Sequence, residues 1–401
     1  MRVSEKKRLA LVLSGGGIKA AAFHLGVCLA LREKGFKFAG GSPTDVRLQY
    51  SDSKMTFKVY VGSSAGSVIS TFLAAGYEIE AIIDAFERGS SSAMNKLLKR
   101  RPDHNKLRPM TYRDIFSING NNFVNFVPGI FRGRSLVSGG IEALLKSGFK
   151  INGLFTMKGL ERYMREDVLD DNNFASLGVD LFIVATQLNH SRKVIFGNFP
   201  ETTKTKTIGY ANYAGISEAV AASASLPPVF APYGIENEKG HELYFFDGEI
   251  RDTLSTHVAA DHGADLIIAS YSIQPYHFNP VMGSLHNYGI PVIFNQALYQ
   301  VVQQKIERHI EHEQQITAIV NAVDGYFKSE GLPSEHREKL LDIIIKRANY
   351  KPGVDYLYIH PSPEDHEMFF ADHFSLNSEI LAQILQIGFR AALQTLRKLD
   401  M

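Results

Sequence analysis

Three short stretches hold residue types that could do chemistry. The first is Gly62-Ser63-Ser64-Ala65-Gly66, a G-x-S-x-G placed between an apolar run and a helix-like run. A serine on a sharp strand-to-helix turn has strained backbone angles, and flanking glycines let neighbouring chain pass close by. Such a turn lifts Oγ above a sheet, and the start of the helix favours developing negative charge. Ser64 has the required spacing; Ser63 and Ser67 do not. The plain alternative is a Ser/Gly-rich turn in which Ser63 or Ser64 caps the helix.

A serine hydroxyl is a poor nucleophile without a base. The chain has 14 histidines, and His257, His262, His286, His360 and His373 all follow Ser64. None of these five sits in a recognisable strand-end loop beside small residues, so each reads as a surface or packing residue. Asp247 is better placed. It ends the run Leu243-Tyr244-Phe245-Phe246 and precedes Gly248, and strand ends are where α/β sheets put their sites. A structural Asp-Gly turn is the alternative.

The third stretch is Ser14-Gly15-Gly16-Gly17, directly after the apolar run Leu9–Leu13. Gly15-x-Gly17-x-x-Ala20 satisfies the dinucleotide fingerprint. That fingerprint also needs an acid at the end of the next strand, about 20 residues on. Here Phe36-Lys37-Phe38 and a loop stand at that distance, and the next strand ends at Ser64, so the cofactor reading is set aside. The other functional reading is an oxyanion hole, whose backbone donors are typically worth ~3 kcal/mol each. Lys19 adds positive charge near the start of the helix. A plain tight turn is again the alternative.

These residues need a particular scaffold. Leu9–Leu13 and Phe57–Val61 read as short buried strands, followed by helices over Ile18–Lys34 and from Ser67 to Gly76. Strand, glycine turn and helix in succession, twice, argue for a parallel sheet with crossover helices. Gly40–Lys58 is loop-like. Further strands are expected at Val179–Gln187, in "KVIFGNF", in "ELYFFDGE" and in "GADLIIASYS". "ISEAVAASASLPPVFAPY" reads as a helix stopped by Pro227-Pro228. From about Asn295 the pattern is helical as far as "DGYF", then a turn-rich stretch follows with a strand expected in "VDYLYIHP", and a last helix is capped by Asn377 or Ser378.

The chain has 401 residues, enough for one large α/β domain or two smaller ones. Hydrophobic residues make up 45%, charged residues 21%, and the formal net charge is +1. That balance speaks against nucleic acid as the main partner. The single cysteine, Cys28, makes no internal disulfide and reads as a small core residue, so a reducing, cytoplasmic compartment is expected. The N-terminal apolar run is about five residues, too short for a signal peptide. No stretch approaches the roughly 18 apolar residues of a membrane span, which leaves peripheral membrane contact.

Taken together, the motifs resemble the patatin-like phospholipase family. Its G-G-G-x-[R/K]-G loop is similar to Gly15–Ala20, its G-x-S-x-G to Gly62–Gly66, and its D-G-[G/A] to Asp247-Gly248. The resemblance covers about residues 8–275 in blocks, and the order of motifs leaves no room for the early strands of an α/β-hydrolase. It implies a three-layer α/β/α fold with a mostly parallel central sheet. It also implies hydrolysis of lipid acyl esters by a Ser–Asp dyad, with no catalytic histidine, no cofactor and no metal. Ser64 would then be the nucleophile and Asp247 its base. The N–H groups of Gly15, Gly16 and Gly17 would form the oxyanion hole, and Lys19 and Gly248 would support it.

Three departures stand out: Lys19 where Arg is commoner, Ala20 where Gly is commoner, and Glu249 where the family has Gly or Ala. A carboxylate at 249 would raise the pKa of Asp247, narrow the site, or point outward. Residues 1–290 form the expected catalytic domain, with 89–170 as a lid or insert. Residues 291–401 form a mainly helical extension packed on it. Phe123–Phe131 reads as an acyl pocket, a lid or ordinary core. Lys96–Arg108 reads as a membrane contact or a solvated surface. Two rival readings share the scaffold: a catalytically silent lipid-binding or interaction module, and an acyltransferase.

Overall fold

The computed structural model describes residues 3–51, 53–86, 107–118 and 152–397. Phe123–Phe131 and the charged run as far as residue 106 lie outside the described residues, as does most of 89–170.

The strands, in chain order, are β1 (Leu9–Leu13), β2 (Lys37–Phe38), β3 (Thr56–Ser63), β4 (Ser117–Ile118), β5 (Phe155–Thr156), β6 (Asp180–Gln187) and β7 (Arg192–Phe196). They continue with β8 (Thr203–Lys204), β9 (Ile208–Ala211), β10 (Tyr233–Glu236), β11 (Glu242–Asp247), β12 (Leu266–Ser270) and β13 (Asp355–Ile359). Among the described residues, eleven of them form one sheet whose main path runs β13-β12-β1-β3-β6-β7-β9-β8. From β13 to β6 every neighbouring pair is parallel. β4 and β5 form a separate antiparallel pair.

β1 is buried along its whole length, as a parallel strand covered on both faces must be. Leu9, Leu11 and Leu13 face one core, and Ala10 and Val12 face the other. Fully burying each of those leucines is worth about 1.5–3 kcal/mol. The first core takes in the helix Gly17–Glu33, the helix Ala65–Ala74, the helix Ile216–Ser223 and the C-terminal helix Ser378–Leu396. The second takes in the helix Thr256–Asp261 and the stripe Val302, Ile306 and Ile310 of the 40-residue helix Ile290–Ser329. The result is a mixed α/β fold with helices on both faces of a mostly parallel sheet.

The C-terminal segment contributes to this framework. β13 adds the edge strand beside β12, with Leu266 opposite Asp355. The last helix begins at Asn377, whose side chain accepts from the N–H groups of Glu379 and Ile380 at 2.9 and 3.3 Å, and it packs against the first helix.

Several elements differ from the sequence expectation: the long helix begins at Ile290, and the stretch read as turn-rich after it holds a second helix, Ser334–Ala348, opened after Pro333. The loop-like stretch after Gly40 contains a helix, Pro43–Tyr50, opened by a Ser42–Asp45 capping box with Pro43 in its first turn. The helix after Gly66 starts earlier, at Ala65. The helix expected to run to Pro227 ends at Ser223, because the chain must leave it to meet β11: the Ser225 carbonyl accepts from the Asp247 N–H at 3.0 Å.

Candidate active site

Two strands bring Ser64 and Asp247 together. β3 runs parallel to β6 and ends with Ser63 opposite Val184. β11 runs antiparallel to β6 and ends with Asp247 opposite Ala185. β7 occupies the other edge of β6 over the same residues, so β3 and β11 lie on one edge and meet end to end. Asp247 therefore arrives on an antiparallel strand rather than on one more parallel strand end.

Ser64 sits at this junction with φ 51° and ψ −123°, a left-handed conformation that non-glycine residues rarely hold. Such strain costs on the order of 1–3 kcal/mol and persists only where the surroundings enforce it. Here the Ser64 N–H donates to Ser223 Oγ at 2.8 Å, and the Ser223 hydroxyl donates to the Val184 carbonyl at 2.6 Å. The Ser64 carbonyl accepts from the N–H and the hydroxyl of Ser67, at 2.9 and 2.6 Å. Gly62 and Gly66 flank the turn. A Cβ on Gly66 would collide with the Leu13 carbonyl at the end of β1, so only glycine lets the turn sit against the first glycine loop.

Asp247 is buried, its carboxylate accepts from the Glu249 N–H at 2.9 Å, and the Ser64 side chain lies beside it. Burial raises its pKa to about 6, and the Ser64 side chain and the Glu249 N–H oppose that rise. Such a group is ionised at neutral pH and more basic than an exposed carboxylate. Gly248 follows because a Cβ there would strike the Val184 carbonyl.

The departure at Glu249 resolves inward. Its side chain is 7% exposed, and Oε1 accepts from the Gly15 N–H at 2.8 Å. Burial first, and the neighbouring Asp247 charge second, push its carboxyl well above the usual range. The Gly15 amide is thus engaged, while those of Gly16 and Gly17 have no partner among the described residues. Such N–H groups at a helix start are ready donors to an anion.

Lys19 serves the loop in a different way than a charge near the helix start. It is almost fully buried, and its Nζ donates to the Met368 carbonyl at 2.7 Å and lies 5.3 Å from the Tyr299 ring centre. Burial lowers its pKa to about 7. His373, also in the C-terminal segment, accepts the Ile18 N–H on its carbonyl at 2.7 Å. The glycine loop is therefore held from behind by residues 368–373.

A family model described as patatin-like phospholipase matches residues 11–260. The chain belongs to the patatin-like phospholipase family. Membership supports lipid acyl hydrolysis, and lipids as substrates, at the level of the family. The match includes the glycine loop, the serine turn and Asp247-Gly248. The chain is also similar to a solved structure, the crystal structure of VipD from Legionella pneumophila, at 15% identity. That likeness covers 98% of this chain and 67% of the other with a TM-score of 0.35, too low to carry weight. No curated protein matches the chain.

In this patatin-like chain the five histidines weighed above have other partners or face outward. His257 contacts Lys193 and Asp252, His262 the Val258 carbonyl, His360 the Pro361 carbonyl and His373 the Tyr299 hydroxyl, while His286 is exposed. Cys28 is buried. Among the described residues there is no cluster of three or more metal-ligating side chains.

One residue near the site escaped sequence reasoning. His24, on the first helix, is fully buried, with Nε2 2.9 Å from the Ser14 carbonyl and Nδ1 2.8 Å from Ser270 Oγ. A nitrogen facing a carbonyl must carry the proton, so Nε2–H donates and Nδ1 accepts. Burial lowers its pKa to about 4 and keeps it neutral. The signal available was a lone histidine on the otherwise apolar helix "AAAFHLGVCLAL".

Proposed function

We propose that the chain is a serine lipid acyl hydrolase of the phospholipase A or lysophospholipase kind. The observation that carries this reading is the strained Ser64 held at the strand junction beside the buried carboxylate of Asp247. Ser64 Oγ attacks the ester carbonyl as its proton passes to Asp247. The C–O π electrons move onto the carbonyl oxygen, which is met by the amides of Gly16 and Gly17. As the tetrahedral species collapses, the alcohol leaves with the proton from Asp247, and an acyl-Ser64 remains. Water then attacks the acyl group, giving its proton to Asp247, and Ser64 leaves and takes that proton back as the fatty acid is released.

Lipid esters lie at an interface, so the encounter is a peripheral one at a membrane or micelle surface. Among the described residues no helix is long and apolar enough to cross a membrane. The test is product analysis on a panel of phospholipids, lysophospholipids and triacylglycerols. Free fatty acid from the wild type and none from Asp247→Asn is expected. Acyl transfer to an added lysolipid or alcohol, with little free acid, would favour the acyltransferase. No turnover of any ester would favour the silent module.

A further inference from the structure

Hydrogen bonds fix the glycine loop at each peptide group around Gly15. The Ser14 N–H donates to the Ser270 carbonyl at 3.0 Å, and the Ser14 carbonyl faces His24 Nε2. The Gly15 carbonyl accepts from the Ser272 hydroxyl at 3.1 Å. The Gly15 N–H goes to Glu249 Oε1. The next two amides, Gly16 and Gly17, are the ones without a partner among the described residues.

Glu249 is also tied to the other half of the site. Its N–H donates to Asp247 Oδ1, so one turn carries both the base and the group that holds the loop. A Cβ built on Gly15 would lie 2.5 Å from Glu249 Cγ and 2.6 Å from Ser64 Cβ. The stem of Glu249 and the nucleophile thus abut the same glycine.

We propose that Glu249 is a positioning residue: its carboxyl holds the Gly15 amide, sets the loop in register with Ser64, and leaves the Gly16 and Gly17 amides for the oxyanion. This rests on the hydrolase reading above. The charges facing the carboxyl are those of Asp247 and Asp252. The nearby cations are engaged elsewhere: Lys193 with Asp252, and Lys305 with the Ile250 carbonyl. Glu249 Oε2 is buried without a hydrogen-bond partner, as is the Ser63 hydroxyl beside it. Burial and the Asp247 charge disfavour the ionised form of this carboxyl, and its Oε1 is the acceptor that the Gly15 amide uses. Glutamine offers the same acceptor in the same shape.

The experiment compares the wild type, Glu249→Gln and Glu249→Ala on a short-chain p-nitrophenyl ester. Thermal melts confirm that each is folded. Glu249→Gln should keep kcat within a few-fold of the wild type. Glu249→Ala should lose about 10²-fold in kcat with little change in KM, because a displaced loop weakens contacts made only in the transition state. Amide exchange read by mass spectrometry on peptides covering Gly15 supplies a readout independent of turnover. Protection should persist in Glu249→Gln and be lost in Glu249→Ala. An alanine variant as fast as or faster than the wild type would overturn the proposal, since the carboxyl would then be a competitor for the oxyanion hole. So would a glutamine variant as slow as alanine, or unchanged exchange in alanine. If the wild type turns over no ester, the hydrolase reading fails by itself, and the exchange result still decides whether Glu249 holds the loop.

Discussion

The acid limb of the rate profile follows from the environment of Asp247. In the proposed mechanism its carboxylate must be ionised to take the Ser64 proton. Burial raises its pKa to about 6, so it is ~90% ionised at pH 7 and ~10% ionised at pH 5. Activity therefore rises with pH, by roughly tenfold between pH 5 and a plateau above pH 7. An exposed aspartate near 3.9 would leave the profile flat over that range. Asp247→Asn keeps the size of the side chain but cannot accept the proton, and a positioned general base contributes typically 10²–10⁴-fold. The assay is kcat/KM for a soluble short-chain ester from pH 5 to pH 9 at constant ionic strength, followed by pH-stat. A wild-type profile flat from pH 5 to pH 8 would refute the role given to Asp247. Asp247→Asn within tenfold of the wild type would refute it as well.

Two further substitutions probe the frame around the site. Ser223→Ala leaves the buried Ser64 N–H without its acceptor and should cost about 1–3 kcal/mol, read as a lowered midpoint in urea, with slower turnover as the strained turn relaxes. Lys19→Met tests the buried amine. Its folded pKa is about 7 against the ordinary lysine value of 10.5, so the unfolded chain binds more protons between those values and stability rises with pH across that window. Melts of the wild type from pH 7 to pH 10 should show that rise, and melts of Lys19→Met should lack it.

Much of the scaffold was legible because its signals are local. Leu9–Leu13 has the bounds read from its apolar run, and the serine turn falls where G-x-S-x-G meets strand and helix patterns. The Pro43–Tyr50 helix was missed although Ser42, Pro43 and Asp45 announce it, because its apolar face amounts to Val46 and the half-buried Tyr50. What escaped depends on contacts between distant parts of the chain. The antiparallel course of β11 follows from pairing Asp247 with Ala185, 62 positions away. The inward turn of Glu249 depends on Gly15, 234 residues distant, and the hold of Lys19 on Met368 spans 349. No periodicity reports such pairings. The C-terminal strand was expected from its own pattern, but its place beside β12 was not.

The central claim is that Ser64 is the nucleophile. The direct measurement is labelling with a fluorophosphonate probe followed by peptide mapping. One adduct is expected, on the peptide containing Ser64, absent in Ser64→Ala and strongly slowed in Asp247→Asn. A folded wild type that takes no label, or an adduct that survives Ser64→Ala, would contradict it.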